Sequence, residues 1–280
     1  MIGFSKPHCR AVISLLAVLA ATGATTIALA QGRLVAQFTI SMTGITIGHV
    51  AWLAEIGDKT YATSASGKAS GVLSMLVNGE GGVTTHGTVA DDRLNPSIFT
   101  SDITDDDGAI SLRMSFAGGT VNETITPEPP ARPGRLPVSE ADRRGVVDPL
   151  TAVLLPAKAG ADPLAPAACD RLLRIYDGRR RYDLALFYSR MEHFAAQGYA
   201  GPALVCGVVL NPIAGYVADS ALVKYVAGKR DMELWFAPIA GTPIVAPVRV
   251  VMPTVIGTLK INADRFSSQA TTAAPNGASR

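Results

Sequence analysis

Two cysteines, three consecutive arginines and two tryptophans are the residues of this chain whose types and positions could do chemistry. Cys169 and Cys206 could close a disulfide, and the compartment decides whether they do. Arg179, Arg180 and Arg181 follow an Asp177-Gly178 turn signal, and a guanidinium fork at a hairpin suits a phosphate or carboxylate. The simpler reading pairs these arginines with Asp170, Asp177 or Asp183 on a solvated hairpin, an arrangement that is common and contributes little. Alternation along the strand sends Arg180 to one side and its two neighbours to the other. Trp52 and Trp235 fall in strand-like runs, where core packing is the default and lining a ligand cavity is the sharper alternative.

Other constellations fail on their own chemistry. Ser66-Gly-Lys-Ala-Ser-Gly71 lacks the first glycine of a phosphate loop, and Ala69 stands where a hydroxyl would meet Mg²⁺. The acidic run Asp105 to Asp107 would need a ligand at Ile103 to serve as a calcium loop, so it reads as a turn. His49, His86 and His193 have no metal-binding spacing. Ser70 sits outside any G-x-S-x-G elbow. The expectation is therefore a protein that is not an enzyme, with no catalytic residue, no metal and no cofactor. Catalytic triads assemble across a fold, which leaves that expectation to the tertiary structure.

The elements that must position these residues begin after an export signal. Lys6, His8 and Arg10 form a basic start, Ala11 to Ala21 an apolar run, and Ala28-Leu29-Ala30 a small-residue cleavage site. Cleavage is expected after Ala30, giving a periplasmic protein with no stable membrane span once 1–30 is gone. Those thirty residues hold two of the 25 basic residues and none of the 23 acidic ones, so 23 of each remain. A neutral chain has no long-range electrostatic case for nucleic acid. Cys9 leaves with the signal, and the two remaining cysteines are expected to pair in an oxidising compartment, worth about 3–4 kcal/mol in the loop-entropy picture. Two buried thiols are the alternative.

Residues 31–267 read as one domain. Leu34 to Met42 alternates apolar and polar, Ile45 to Ile56 and Thr60 to Lys68 follow across tight turns, and the three form a meander. Gly71 to Asn78 bunches its apolar residues as a short helix would. Strands are expected again at Gly82–Ala90, Ser97–Thr104 and Ala109–Ile125. A proline-rich connector over 126–147 then joins two halves and is expected to be exposed. Asp148-Pro149 starts a short helix. The second half supplies Leu172–Tyr176, Arg180–Tyr188, Ala203–Pro212, Met232–Ala237, Ile244–Met252 and Gly257–Ala263. Residues 268–280 read as a disordered tail. About a dozen short strands with two or three short helices make an all-β chain. An antiparallel β-barrel or half-barrel is the economical arrangement, and a sandwich satisfies the same pattern.

The chain resembles the exported alphaproteobacterial proteins of domain-of-unknown-function family 3108. The likeness rests on Cys169, Ile175-Tyr-Asp-Gly-Arg-Arg-Arg-Tyr-Asp-Leu184, Val205-Cys206, Asn211-Pro-Ile-Ala-Gly215, Leu234-Trp-Phe-Ala-Pro238, Pro247-Val-Arg249 and Val255-Ile-Gly-Thr-Leu259. Thr46-Ile-Gly-His49 and Val147-Asp-Pro-Leu150 extend it. The resemblance implies an envelope β-barrel without an established activity, so no catalytic residue carries over. The architecture is similar to periplasmic half-barrels that carry lipids or lipoproteins. The expected function is non-enzymatic binding of a lipid-like ligand in an apolar interior. The alternative is a structural or interaction protein with a packed core that meets an envelope partner.

Overall fold

The computed structural model describes residues 31–70, 79–90, 92–106, 108–127, 133–158, 160–227 and 229–271. The expected signal segment and the expected helix at 71–78 lie outside them. The first half contributes β1 (Gly32–Met42), β2 (Ile45–Ile56), β3 (Thr60–Ala69), β4 (Gly79–Ala90), β5 (Arg93–Asp105), β6 (Gly108–Ala117) and β7 (Thr120–Ile125). After the connector come α1 (Pro149–Ala152), β8 (Leu155–Pro156), β9 (Arg171–Tyr176), β10 (Arg181–Ala196) and β11 (Tyr199–Ala214). Then follow α2 (Ala221–Ala227), β12 (Met232–Pro238), β13 (Ile244–Thr254) and β14 (Gly257–Ala270). All the strands belong to one 14-stranded antiparallel sheet in the order β7-β6-β5-β4-β3-β2-β1-β14-β13-β12-β11-β10-β9, with β8 on β13.

The two halves meet where β1 pairs β14, and the ladder does not close: β7 and β9 are its edges. The connector links them instead. Arg144 bridges Thr120 of β7, and Val147 bridges Ile175 of β9. The Val146 amide donates to the Gly119 carbonyl, the Val147 amide to Arg174, and the Tyr176 amide to Val147. Only part of this connector is exposed, because Val146 is buried against Phe116, Val121 and Tyr176. Its polar backbone finds partners on both edges, which is what a buried segment requires.

Three strand boundaries differ from the sequence reading. Ala109–Ile125 is two strands, because Gly118 and Gly119 both take positive φ and turn the chain between β6 and β7. β10 and β11 run on through 189–202 as a long hairpin about Gln197-Gly198. Polar residues such as Glu192 and His193 weaken the apolar alternation there, and pairing along the whole hairpin overrides it. β14 continues to Ala270, where the sequence placed the start of a tail, because β1 offers partners as far as Gly32.

The concave face packs around Leu34, Ala36 and Phe38 of β1, Trp52 and Ala54 of β2, and Phe266 of β14. The Gln197-Gly198 tip pairs edge-on with β14 beyond its ladder with β13: the Gln197 amide donates to the Asp264 carbonyl, and the Phe266 amide donates back to Gln197. A second cluster lies on the other face of the second half, where Leu204 and Cys206 alternate with the concave-facing Ala203 and Val205. Leu155, Leu164, Ala168 and Cys169 cover that face, and Cys169 is bonded to Cys206 there.

Candidate functional site

The interior is where a ligand would have to go, and α1 occupies part of it. Asp148 caps the helix: its Oδ1 accepts from the amides of Leu150 and Thr151, both at 2.9 Å. Its Oδ2 accepts from the Thr151 hydroxyl at 2.5 Å and from Thr85 of β4 at 3.1 Å. Tyr61 of β3 donates to the Thr151 hydroxyl at 2.6 Å, since the Thr151 proton is already committed to Asp148. An Asp-Pro helix start therefore becomes a polar pin that holds α1 against the concave face of β3 and β4. Leu154 belongs to the central cluster, and Leu150 and Val153 pack against it. Asp148 is fully buried. Desolvation pushes its carboxyl above the usual range, and the hydrogen bonds from Thr151, Thr85 and Leu150 pull it part of the way back. Burial, with the Asp148 charge second, pushes the Tyr61 phenol up.

Trp235 stands on the same concave face and carries a second constellation. The Arg190 guanidinium lies 5.4 Å from its ring centroid and that of Arg249 lies 4.4 Å away, with Arg249 also 5.3 Å from the Phe194 ring. Arg190 donates twice to Glu233, at 2.6 and 3.2 Å, and once to Glu192 at 2.7 Å. The indole N–H donates to Glu233 at 2.9 Å. Arg249 donates to Asn262 at 2.7 Å. The hydrogen bonds from Arg190 hold Glu233 below the usual carboxylate range, and those to Glu233 and Glu192 raise Arg190. Two guanidiniums stacked on one indole suit a planar or anionic group, and the two carboxylates bring the cluster to neutrality.

The arginine hairpin is not a fork. Arg181 is buried and paired with Asp183 at 2.5 Å. Arg179 reaches Thr126 and the Pro127 carbonyl, both at 3.3 Å. Arg180 lies 5.7 Å over the ring of Tyr216, whose phenol burial pushes up to about 12. Three guanidiniums thus serve three separate contacts, and the Asp177 side chain takes the amides of Arg179 and Arg180. Trp52 is buried, donating to Thr63 at 2.6 Å. Of the residues singled out in the sequence, Trp52 and Trp235 both stand on the concave face, and Trp235 is the one that gathers charged partners there. Its partners Arg190, Glu233 and Arg249 escape sequence reasoning because they come from β10, β12 and β13 and share no local spacing. The Glu233-x-Trp235 alternation was the one available signal that both face the same way.

The Cys169–Cys206 bond joins the end of the Pro166–Cys169 turn to β11 across 37 residues. It fastens a cover to the convex face and does not close the barrel. A cleft of about 750 Å³ opens elsewhere, over β1 to β5. Its lining mixes polar side chains, among them Gln37, His49, Lys68, Glu80, Asp102 and Asp264, with the apolar Phe38, Val50 and Ala51. Thr39 ties its edge, donating to Asp264 at 2.6 Å with His49 Nδ1 at 3.3 Å. Among the described residues no group of three or more His, Cys, Asp or Glu side chains is placed to hold a metal ion. None of the described helices is long and apolar enough to cross a membrane.

A family model described as "Protein of unknown function (DUF3108)" matches residues 37–264, and the chain belongs to that family. No curated protein matches it. Among solved structures, the chain is similar to a beta-barrel-like protein of domain of unknown function DUF1849 from Brucella abortus. The identity is 8% and the TM-score 0.47, over 87% of this chain and 98% of that one.

Proposed function

We propose that this DUF3108 protein works by binding and not by catalysis, as an interaction protein of the cell envelope whose curled sheet is filled and whose partners meet its surface. The observation that carries this reading is α1. A helix capped by a fully buried Asp148, tied to Thr85 and through Thr151 to Tyr61, takes up interior volume that a carried ligand would need. Phe194, Phe266 and Leu34 fill more of it, all fully buried. The cleft over β1 to β5 has the volume of a small-molecule site, and its lining mixes charged groups with apolar surface. The reading that puts a lipid-like ligand in an apolar interior is the weaker of the two because α1 and those buried side chains fill the curl.

Export supports the envelope setting. A basic start, an apolar run and a cleavage site precede Gln31, and a disulfide suits an oxidising compartment. The test is native mass spectrometry and lipid extraction of protein recovered from the periplasm. The expected result is a chain beginning at Gln31 whose mass is that of the polypeptide alone, with one disulfide. A lipid recovered at one per chain would overturn the packed-interior reading and reinstate the carrier.

A further inference from the structure

We infer that the β13–β14 turn, with the β1–β2 turn beside it, is a membrane-docking tip that inserts into a bilayer surface carrying anionic headgroups. Ile256 is 73% exposed, Val255 59% and Ile45 55%. These are large aliphatic side chains at the ends of two abutting hairpins. The Thr43 amide donates to the Thr258 carbonyl at 2.9 Å, and a Cβ on Gly257 would collide with the Thr43 methyl. Large aliphatic side chains this exposed suit a fluid apolar phase that can close around them.

Three backbone groups of the tip already have partners. The Ile256 amide donates to the Thr254 hydroxyl at 3.3 Å, and that hydroxyl donates to the Gly257 carbonyl at 2.7 Å. The Thr254 carbonyl accepts from the Tyr225 phenol of α2 at 3.2 Å. Polar groups satisfied within the turn can leave water without the cost of stranded donors and acceptors. The same requirement governs any segment that enters the acyl boundary.

Charge supplies the choice of surface. Lys260 is exposed four residues beyond Ile256 on β14. Lys229 lies 4.5 Å over the Tyr225 ring that braces the tip, and Arg230 is exposed beside it. Lys224 of α2 is paired with Asp219 at 2.9 Å, which cancels both. Among the described residues Asp231 is the acid that remains against Lys229, Arg230 and Lys260, leaving this corner basic. Aliphatics inserted a few ångströms with ammonium groups at phosphate level is the arrangement of an interfacial anchor. This inference does not depend on whether the interior holds a ligand.

The experiment is co-sedimentation of the mature protein with two kinds of vesicle: phosphatidylcholine alone, and phosphatidylcholine with one third phosphatidylglycerol. The wild type is expected to pellet with the second and to release as salt rises. Val255→Ser with Ile256→Ser should weaken that binding at least tenfold, from the transfer free energy of two half-buried aliphatic side chains. Lys260→Ser should weaken it about fivefold. Leu172→Ser, at an exposed aliphatic far from the tip, serves as control and should leave binding unchanged. Ile256→Trp should be quenched by brominated acyl chains. Each variant is checked for folding by its thermal transition. Absence of wild-type binding to either vesicle, or binding that survives the double substitution in folded protein, would overturn the proposal. So would a concentration-dependent dimer that Ile256→Ser abolishes, because a second copy would then cover the tip.

Discussion

Replacing Asp148 separates the capping role of this residue from the cost of burying its charge. Asp148→Ala removes the acceptor for two amides and the Thr151 hydroxyl, in a place water does not reach. Loss of an N-cap costs about 1 kcal/mol. A buried hydroxyl or amide left without a partner adds about 1–3 kcal/mol, so the expected loss is about 3–4 kcal/mol. Asp148→Asn keeps the carbonyl oxygen that takes the two amides and sheds the buried charge, and should cost about 1 kcal/mol. The pH dependence then discriminates. A carboxyl whose folded value is raised above its ordinary 3.8 binds more protons folded than unfolded. The wild type therefore loses stability as pH rises from about 3.8 through that raised value, and lies flat for this group above it. The Asp148→Asn variant, with nothing to titrate at this position, has no such slope. Urea unfolding of both variants and the wild type, at several pH values from about 4 to 8, reads the difference. If Asp148→Ala loses less than about 1 kcal/mol, or if the wild-type and Asp148→Asn curves run parallel in pH, the residue is not the buried pin described above.

Three further outcomes follow from the packing. Cys169→Ala with Cys206→Ala should lower stability by about 4 kcal/mol from a loop of 37 residues, read by denaturant titration with and without reductant. Reductant should not move the double variant. Gly178→Ala should cost about 2–3 kcal/mol, because φ is +93° and the new Cβ would collide with Leu112 Cδ1 on β6. Gly118→Ala, at φ +57° with open space around it, should cost about 1 kcal/mol by thermal unfolding. Equal costs would mean that the β9–β10 turn does not rest on β6.

The fold class was legible because apolar residues two apart mark strands wherever one face is buried. Leu34, Ala36 and Phe38 point inward as their alternation requires, and Trp52 and Ala54 do the same on β2. The Asp148-Pro149 start of α1 was legible too, since capping is chemistry between residues two and three apart. The pairing of Cys169 with Cys206 needed only their count and an oxidising compartment. What the alternation could not reveal is where a strand ends when pairing continues past its apolar stretch, as β10 does through Glu192 and His193.

Residue order along the chain thus determined most of the strands, the inward faces of those with clean alternation, the cap and the bridge, because each rests on neighbours or on simple counting. Tertiary structure alone decided that α1 lies inside the curl, that the disulfide fastens a cover outside it, and that Arg190, Glu233 and Arg249 gather on Trp235. Those contacts join residues from strands far apart in sequence, and only the coiling of the sheet sets the distance between them. The three arginines show the same limit from the other side: adjacent in sequence, they separate because Arg179 and Arg180 lie in the turn and Arg181 opens β10, so each guanidinium reaches a different neighbour.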